Sequence, residues 1–473
     1  MFPPAQLVIT AEAPEIVDPG LPFETEIVLL NHGPYLASDV RVTIDAPDVD
    51  ALQGPDECIT AGAGRLLCEI SVLGDRPRRL AIRGIAPADA SGRSFSITST
   101  IDGGEEGTDL RGDTTTAMIS MWRTFYVAND RDDGEGSLRN AIEEANRSCS
   151  DEGRCKIAFR LDRGGDGWVT IAPETPLPQI TGNGVFVDAT TQTRFFGDTN
   201  PLGPEVELSG ERVGATGNGL QIDAGSNAAL RGLAINRFPE AGVAVSGVRN
   251  GLPEWYWDRT ISSISDCYIG TDPTGTTALA NSIGVRVSIY GDRTQFVGIW
   301  WINGNLISGN ERSGVFSVSG TREVRGNRIG VNRDVTAALG NGASGVFIGP
   351  DNADITVEAN VIAFNADFGV AVSEEAAKPL MLSNSIHSNG ALGIDVGLDG
   401  VTMARRVARS EQPEAVFGLP VAHEDDAVRA VAAASELHRC LAQLNADAER
   451  DHGVRLAARV GIDTGEVMSG DPD

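Results

Sequence analysis

The sequence predicts a mainly β protein: an antiparallel β-sandwich, then a long β-solenoid, then a small incomplete α/β piece. Three observations predict it. Residues 5 to about 118 alternate apolar and polar positions in short runs separated by turn residues, the pattern of half-buried strands. From about 190 to 400 the motif N-x-I-x-x-N recurs, followed by a Gly-Val or Gly-Ile step. From about 415 the pattern changes to one amphipathic helix and one alternating strand.

Composition agrees with this division. At 473 residues the chain is long enough for about three domains. Its 56 glycines exceed the average usage of roughly 7% and indicate many turns. Lys156 and Lys378 are the only lysines; every other residue of the Lys and Arg set is arginine. A net charge of -28 speaks against nucleic acid as a partner, because affinity for a phosphate backbone comes from basic side chains. An anionic lipid surface is disfavoured for the same reason. No stretch approaches the roughly 18 to 20 apolar residues that span a bilayer. The start, MFPPAQLVITAEAPE, has neither a basic n-region nor a continuous apolar run, so no leader is visible.

In the first region, residues 5–118, the strands LVITAEA, FETEIVLLN, VRVTIDA and FSITSTI suit a sandwich of roughly 100 residues. The segment PGLPFETEIVLLNHGPYLASDVRVTIDAP, with its Asn-x-Gly-Pro turn at Asn31 to Pro34, resembles the Ig-like repeat domains of bacterial surface proteins. The resemblance implies a spacer or stalk and brings no catalytic residues.

Residues 123–190 are expected to form the cap and first coils of the solenoid. Gly136-Ser137-Leu138-Arg139-Asn140-Ala141-Ile142 reads as a helix start, with Ser137 as N-cap and Asn140 where a capping-box residue sits. A solenoid must cover its first apolar rung. The run also resembles the GSLRxAI segment that precedes right-handed parallel β-helices in bacterial surface and secreted proteins.

In the repeat region, 190–400, copies begin at Asn305, Asn327, Asn360 and Asn384, with Asn310, Asn332, Asn365 and Asn389 as second asparagines. Gly314, Gly369 and Gly393 open the Gly-Val or Gly-Ile step, and an insertion delays it to Gly345 in the Asn327 copy. Degenerate copies begin at Cys267, with a matching insertion, and at Leu233. First-asparagine spacings of 22 (305 to 327), 33 (327 to 360) and 24 (360 to 384) fit one coil each. Stacked amides at one corner would bond from coil to coil as a structural ladder of Asn305, Asn327, Asn360 and Asn384. The repeats resemble the pectin-lyase-like right-handed β-helix family over most of the span from the cap to residue 400.

That family includes polysaccharide lyases and hydrolases. A hydrolase needs two carboxylates about 5 to 9.5 Å apart, and a lyase a base with Ca²⁺ held by carboxylates. Asp272, Asp334, Asp351, Asp354, Asp395 and Asp399 fall in turns, loop insertions or the last coil, so no catalytic set and no metal site are expected. Trp255, Tyr256 and Trp257 crowd the segment LPEWYWDRT, and Trp300 and Trp301 are neighbours. Adjacent strand residues face opposite ways, so one of that pair should point outward. Trp255, Tyr256, Trp257 and Trp300 are the candidate sugar-stacking residues; loop packing against the solenoid flank is the alternative.

Cys58 and Cys68 flank a hairpin-like segment, and Cys149 and Cys155 a tight polar loop. Two close pairs suit two local disulfides in an oxidising compartment; four free thiols are the alternative. Neither pair is a C-x-x-C and histidine is scarce, against a zinc site.

Residues 401–414 form a junction, and 415–473 a different fold. Acidic Glu424, Asp425 and Asp426 open a helix with Val428, Val431, Leu441 and Leu444 on one side, stopped at Gly453. Val454, Leu456, Ala458, Val460 and Ile462 then alternate. The segments FGLPVAHEDDAVRAV and RVGIDTGEVMSGDP resemble the catalytic domain of class III adenylate and guanylate cyclases, over less than half of such a domain. The resemblance implies two metal-binding aspartates upstream, where this chain has β-helix sequence and, at the hairpin, Ser410 and Glu411. Two-metal chemistry needs both, so a non-catalytic fragment is expected. The expected origin is a joining of two coding segments near 400–412; a multidomain signalling protein or a retained remnant are the alternatives.

The expected function is therefore structural or adhesive, at the cell surface or outside the cell, with polysaccharide or cell-envelope components as partners and no cofactor. A polysaccharide lyase or hydrolase and a nucleotide cyclase are the alternatives.

Overall fold

The structure, a computed structural model, describes residues 5–88, 92–103, 114–149, 155–162, 167–249, 262–291, 300–352, 355–374, 376, 379–398 and 439. Among these residues strand dominates, in two arrangements.

The first is a sandwich of two sheets. One has the spatial order Leu7–Glu12, Pro22–Asn31, Arg78–Ile85, Asp50–Gln53. The other runs Ile16–Val17, Thr114–Met121, Ser94–Gly103, Ala37–Asp45, Arg65–Leu73, Cys58–Thr60. Pairing is antiparallel, except that Ile16–Val17 lies parallel to Ser120–Met121. Alternation puts Ile27, Leu29, Val42, Ile44, Ile82 and Ile97 between the sheets, all buried, and Phe23 meets Phe95 edge-on at 5.3 Å. The Asn-x-Gly-Pro turn has a mechanism. Asn31 Oδ1 accepts from Gly33 N at 3.0 Å, and its Nδ2 donates to Tyr35 O at 2.7 Å and Leu73 O at 3.2 Å, so one amide pins the turn to the opposite sheet. Cys58 and Cys68 face each other across paired strands and form a disulfide.

The second arrangement is a parallel β-helix with three faces. The first face stacks Arg123–Val127, Cys155–Phe159, Val185–Asp188, Ala229–Arg231, Ser262–Ser265, Trp300–Asn303, Thr321–Arg325, Thr356–Glu358 and Leu380–Leu382. The second runs from Val169–Ile171 to Ser385–His387, and the third from Leu220–Asp223 to Ile394–Val396. Every pairing within the three faces is parallel, so equivalent side chains form columns. Ile235, Ile269, Ile307, Ile329, Ile362 and Ile386 are successive partners on the second face. On the third, Val285, Val315, Val346, Val370 and Ile394 do the same for the Gly-Val step. The glycine before each valine is a close approach: a Cβ on Gly345 would sit 2.6 Å from Ile362 Cγ2 and 2.8 Å from Gly369 O.

Helix α1, Leu138–Ser148, closes the first rung with buried Leu138, Ala141, Ile142 and Ala145. Ser137 Oγ accepts from Asn140 N at 3.2 Å, the N-cap bond anticipated above. Arg139, whose role was not legible, clamps the cap by donating to Pro176 O, Thr175 O and Asp132 Oδ1, each at 2.9 Å. A disulfide between Cys149 and Cys155 ties the end of α1 to the first face.

The corner between the first and second faces carries the asparagine ladder. Asn305 Nδ2 donates to Asn327 Oδ1 at 3.0 Å, Asn327 Nδ2 to Asn360 Oδ1 at 2.9 Å, and Asn360 Nδ2 to Asn384 Oδ1 at 2.9 Å. A second ladder lies before the third face: Asn281, Asn310, Asn341, Asn365 and Asn389, linked at 2.8 to 3.1 Å. Asn332 is not part of it, which corrects the motif reading. Its Oδ1 instead accepts from Thr336 N at 2.8 Å and Ala337 N at 3.0 Å, capping the inserted loop. The insertion falls before the second asparagine, so the ladder position moves to Asn341. The signal was present: Asn310, Asn341, Asn365 and Asn389 each stand four residues before the Gly of the Gly-Val or Gly-Ile step (310 to 314, 341 to 345, 365 to 369, 389 to 393).

Candidate functional site

The candidate site grows out of three irregular segments on the second face. The first follows α2, Thr191–Phe196. There Glu205 accepts from Thr193 Oγ1 and, at 3.0 Å, from Thr199 N. Asn200 Nδ2 donates to Pro204 O at 2.8 Å and Pro273 O at 3.0 Å. These bonds hold 197–205 against the later coils. Gly203 must be glycine, because a Cβ there would lie 2.4 Å from both Pro273 O and the Tyr268 ring.

The other two segments are the matching insertions. Each closes through an isolated antiparallel bridge, Thr271 with Ala278 and Val331 with Ala338. Asp272 Oδ1 accepts from Thr276 N at 3.0 Å and Thr277 N at 2.8 Å, the role Asn332 plays in its copy. The loops reach across the intervening coil, where Arg333 N donates to Gly275 O at 3.0 Å.

Between these segments and the first face lies a groove of about 620 Å³. Its wall includes Tyr268, Arg231, Asp266, Arg328, Arg333 and Asp334. Tyr268 Oη donates to Leu202 O at 3.0 Å, fixing the ring. Burial raises its pKa above the ordinary phenol value, against the opposing pull of Arg333 and Arg328. Arg231 Nε pairs with Asp266 Oδ2 at 2.8 Å, and Arg333 Nε with Asp334 Oδ1 at 3.0 Å. Arg328 is exposed and has no ion-pair partner among the described residues. The groove thus sets an aromatic ring beside guanidinium donors and carboxylate acceptors, a combination that can stack on and hydrogen-bond a hydroxyl-rich ligand.

The aromatic candidates fare differently. Trp255, Tyr256 and Trp257 lie outside the described residues. Trp300 is 0% exposed and packs in the solenoid core, so it offers no platform, a correction to the expectation above. Ile302 continues the inward column between Ile264 and Val324, and Trp300, two residues earlier, shares its side. The outward member of the pair is Trp301, half-buried beside Ser263 and Glu323.

Among the described residues no group of His, Cys, Asp and Glu could hold a metal ion, and no helix is long and apolar enough to cross a membrane. Asp354, Asp399 and the cyclase-like stretch 415–473, apart from Arg439, lie outside the described residues.

Comparisons with known proteins add the following. No curated protein matches the chain. Among solved structures, a CARDB domain from Pyrococcus furiosus, solved in complex with di-metal ions, is 18% identical, covers 25% of this chain and 90% of its own, and has a TM-score of 0.19. A cohesin module from a Clostridium perfringens family 33 glycoside hydrolase is 12% identical over 24% of this chain and 96% of its own, at 0.20. The Agl-KA catalytic domain is 11% identical over 84% of this chain and 76% of its own, at 0.18. Such low scores carry no functional argument. Residues 218–404, a span that includes both asparagine ladders, match the family described as a right handed beta helix region.

Proposed function

We propose that this is a non-enzymatic surface or secreted protein whose β-helix acts as a rigid, polysaccharide-binding rod. The observation that carries the reading is the groove of about 620 Å³ with Tyr268 and Arg328 on its wall. Support for the rod comes from columns of buried isoleucine and valine and from ladders that satisfy the buried amides coil by coil. Support for an oxidising compartment comes from the pairings Cys58 with Cys68 and Cys149 with Cys155. The match to a β-helix region favours a surface or polysaccharide-related protein. In this reading the groove binds and does not cut: on its wall Asp266 is paired with Arg231, Asp334 with Arg333, and Glu205 is held by Thr193 and Thr199, whereas a hydrolase needs two carboxylates set on one bond.

The full chain should be run through native affinity gels containing pectin, alginate or xylan, with Tyr268→Ala and Arg328→Ala alongside. Retardation by one polymer, weakened about tenfold in both variants, is expected, since that corresponds to about 1.4 kcal/mol per lost contact. Equal retardation of wild type and variants would remove the groove from the reading. New reducing ends or unsaturated products in the same mixtures would make the protein a hydrolase or lyase instead.

A further inference from the structure

Lys156 stands apart in composition and in place. It is one of two lysines in a chain whose other Lys and Arg positions are all arginine. It lies on the first face of the solenoid, with its side chain only 4% exposed. Its Nζ is 2.5 Å from Asp18 Oδ1 and 4.0 Å from Asp188 Oδ2. Asp18 comes from the sandwich, just after Ile16–Val17, whereas Asp188 ends a strand of the solenoid. The Asp188 side chain is 2% exposed, and its Oδ1 accepts from Thr190 N and Oγ1, which leaves Oδ2 turned toward the amine. Arg194 Nη1 holds the other oxygen of Asp18, Oδ2, at 2.9 Å. Trp122 and Phe186 wall the amine, with ring centroids 4.9 and 5.7 Å from Nζ.

As a plain ion pair this arrangement is a poor bargain. Two charges leave water, and the attraction between them only partly offsets the desolvation. If charge alone mattered, arginine would serve better, with a fork that matches a carboxylate and stacks on aromatic rings. What lysine has and arginine lacks is a primary amine that can be acylated.

We propose that Lys156 and Asp18 form an intramolecular isopeptide bond that joins the sandwich to the first coils of the solenoid, with Asp188 as proton carrier. The ammonium passes one proton to Asp188, and the neutral amine attacks Cγ of Asp18. The C–N bond forms, and negative charge on Oδ2 develops beside the Arg194 guanidinium, where a fixed positive group stabilises it. Nitrogen gives up a second proton and the C–Oδ1 bond breaks. Oδ1 takes both protons and leaves as water, while Oδ2 becomes the amide oxygen. An ammonium and a carboxylate become an amide and one water, and no oxidant or co-reactant is consumed. Contact within hydrogen-bond reach supplies the proximity that an uncatalysed amide condensation lacks, and the rings exclude the water that would reverse it.

The test is the intact mass of the full chain, measured reduced and denatured so that the disulfides do not contribute. The expected mass is one water below that of the sequence, with the full sequence mass returning in Lys156→Arg and Asp18→Ala. Peptide mapping of the wild type should yield a branched peptide containing both residues. Asp188→Asn should keep the full mass while circular dichroism shows a folded β protein. A folded wild type at the full sequence mass would overturn the proposal. So would a water loss that persists in Lys156→Arg, which would place the dehydration at an Asp-Gly step elsewhere. The decisive readings come from the wild type, so a variant that fails to fold does not shelter the idea.

Discussion

Replacing Asn327 with alanine tests what holds the coils in register. Asn327 is 1% exposed. Its Oδ1 accepts from Asn305 N at 2.9 Å and Asn305 Nδ2 at 3.0 Å, while its own Nδ2 donates to Ile302 O at 2.7 Å and Asn360 Oδ1 at 2.9 Å. In Asn327→Ala Asn305 N loses its acceptor in a site without room for bulk water, while Asn305 Nδ2 loses one of two and keeps Ile264 O at 2.9 Å. Asn360 Oδ1 keeps the bond from Asn327 N, so it is not stranded. One orphaned buried donor costs about 1–3 kcal/mol, and the bond lost from Asn305 Nδ2 a further amount of about 0.5–1.5 kcal/mol, giving a loss of about 1.5–4.5 kcal/mol. Asn332→Ala is the control, because it removes the same side chain from an exposed loop cap where water replaces it, at about 1 kcal/mol or less. Neighbouring coils can decouple, which makes a single global unfolding energy unsafe. Native-state hydrogen exchange at Val324, Ile329 and Val357 is the suitable assay. Protection there should fall at least about tenfold in Asn327→Ala, the equivalent of about 1.4 kcal/mol, and little in Asn332→Ala. Equal effects of the two substitutions would refute the claim that the ladder, rather than the apolar columns alone, stabilises these coils.

Cys267 occupies the ladder position one coil before Asn305, and its N–H donates to Asn305 Oδ1 at 2.9 Å. Cys267→Asn should extend the ladder and leave the urea midpoint unchanged or higher; a large fall would show that the site cannot take an amide. Burial pushes the Cys267 thiol up from an ordinary 9.0 to about 12. The folded state therefore holds this proton more tightly, and stability is full below pH 9 and falls as pH rises toward 12, by up to about 4 kcal/mol. Cys267→Ser should flatten that alkaline loss, and an unchanged pH profile would count against it. Trp300→Ala should cost about 3–5 kcal/mol by opening a core cavity, whereas Trp301→Ala should cost much less; thermal melts that rank them the other way would reverse the inward assignment. Gly345→Ala should destabilise by about 1–3 kcal/mol through overpacking against Ile362 and Gly369, read as a lower melting temperature.

Local chemistry was enough for much of this protein. Strand alternation in residues 5–118, the Ser137 cap and the columns of Ile307, Ile329, Ile362 and Ile386 all depend on neighbours a few residues away or on one repeated unit, and both are visible in a single chain. Asn305, Asn327, Asn360 and Asn384 were legible for the same reason, because a ladder needs the same residue at the same place in each coil. Other features depended on register between coils. Parity alone could not say which of Trp300 and Trp301 faces inward; the pairing of Ile302 with Ile264 and Val324 decides it. Spacing counted from Asn327 pointed to Asn332, but stacking selects Asn341, because a loop can lengthen on either side of a corner residue without disturbing the coil. The groove and the Lys156 cluster lay beyond reach altogether. Tyr268, Arg328 and the 197–205 segment meet only when coils stack, and Asp18 reaches Lys156 across 138 residues of sequence. A sequence carries the period of a solenoid in every repeat, but side chains that meet once, at an insertion or at a joint between two folds, have no repeat to announce them, and only the packed structure brings them together.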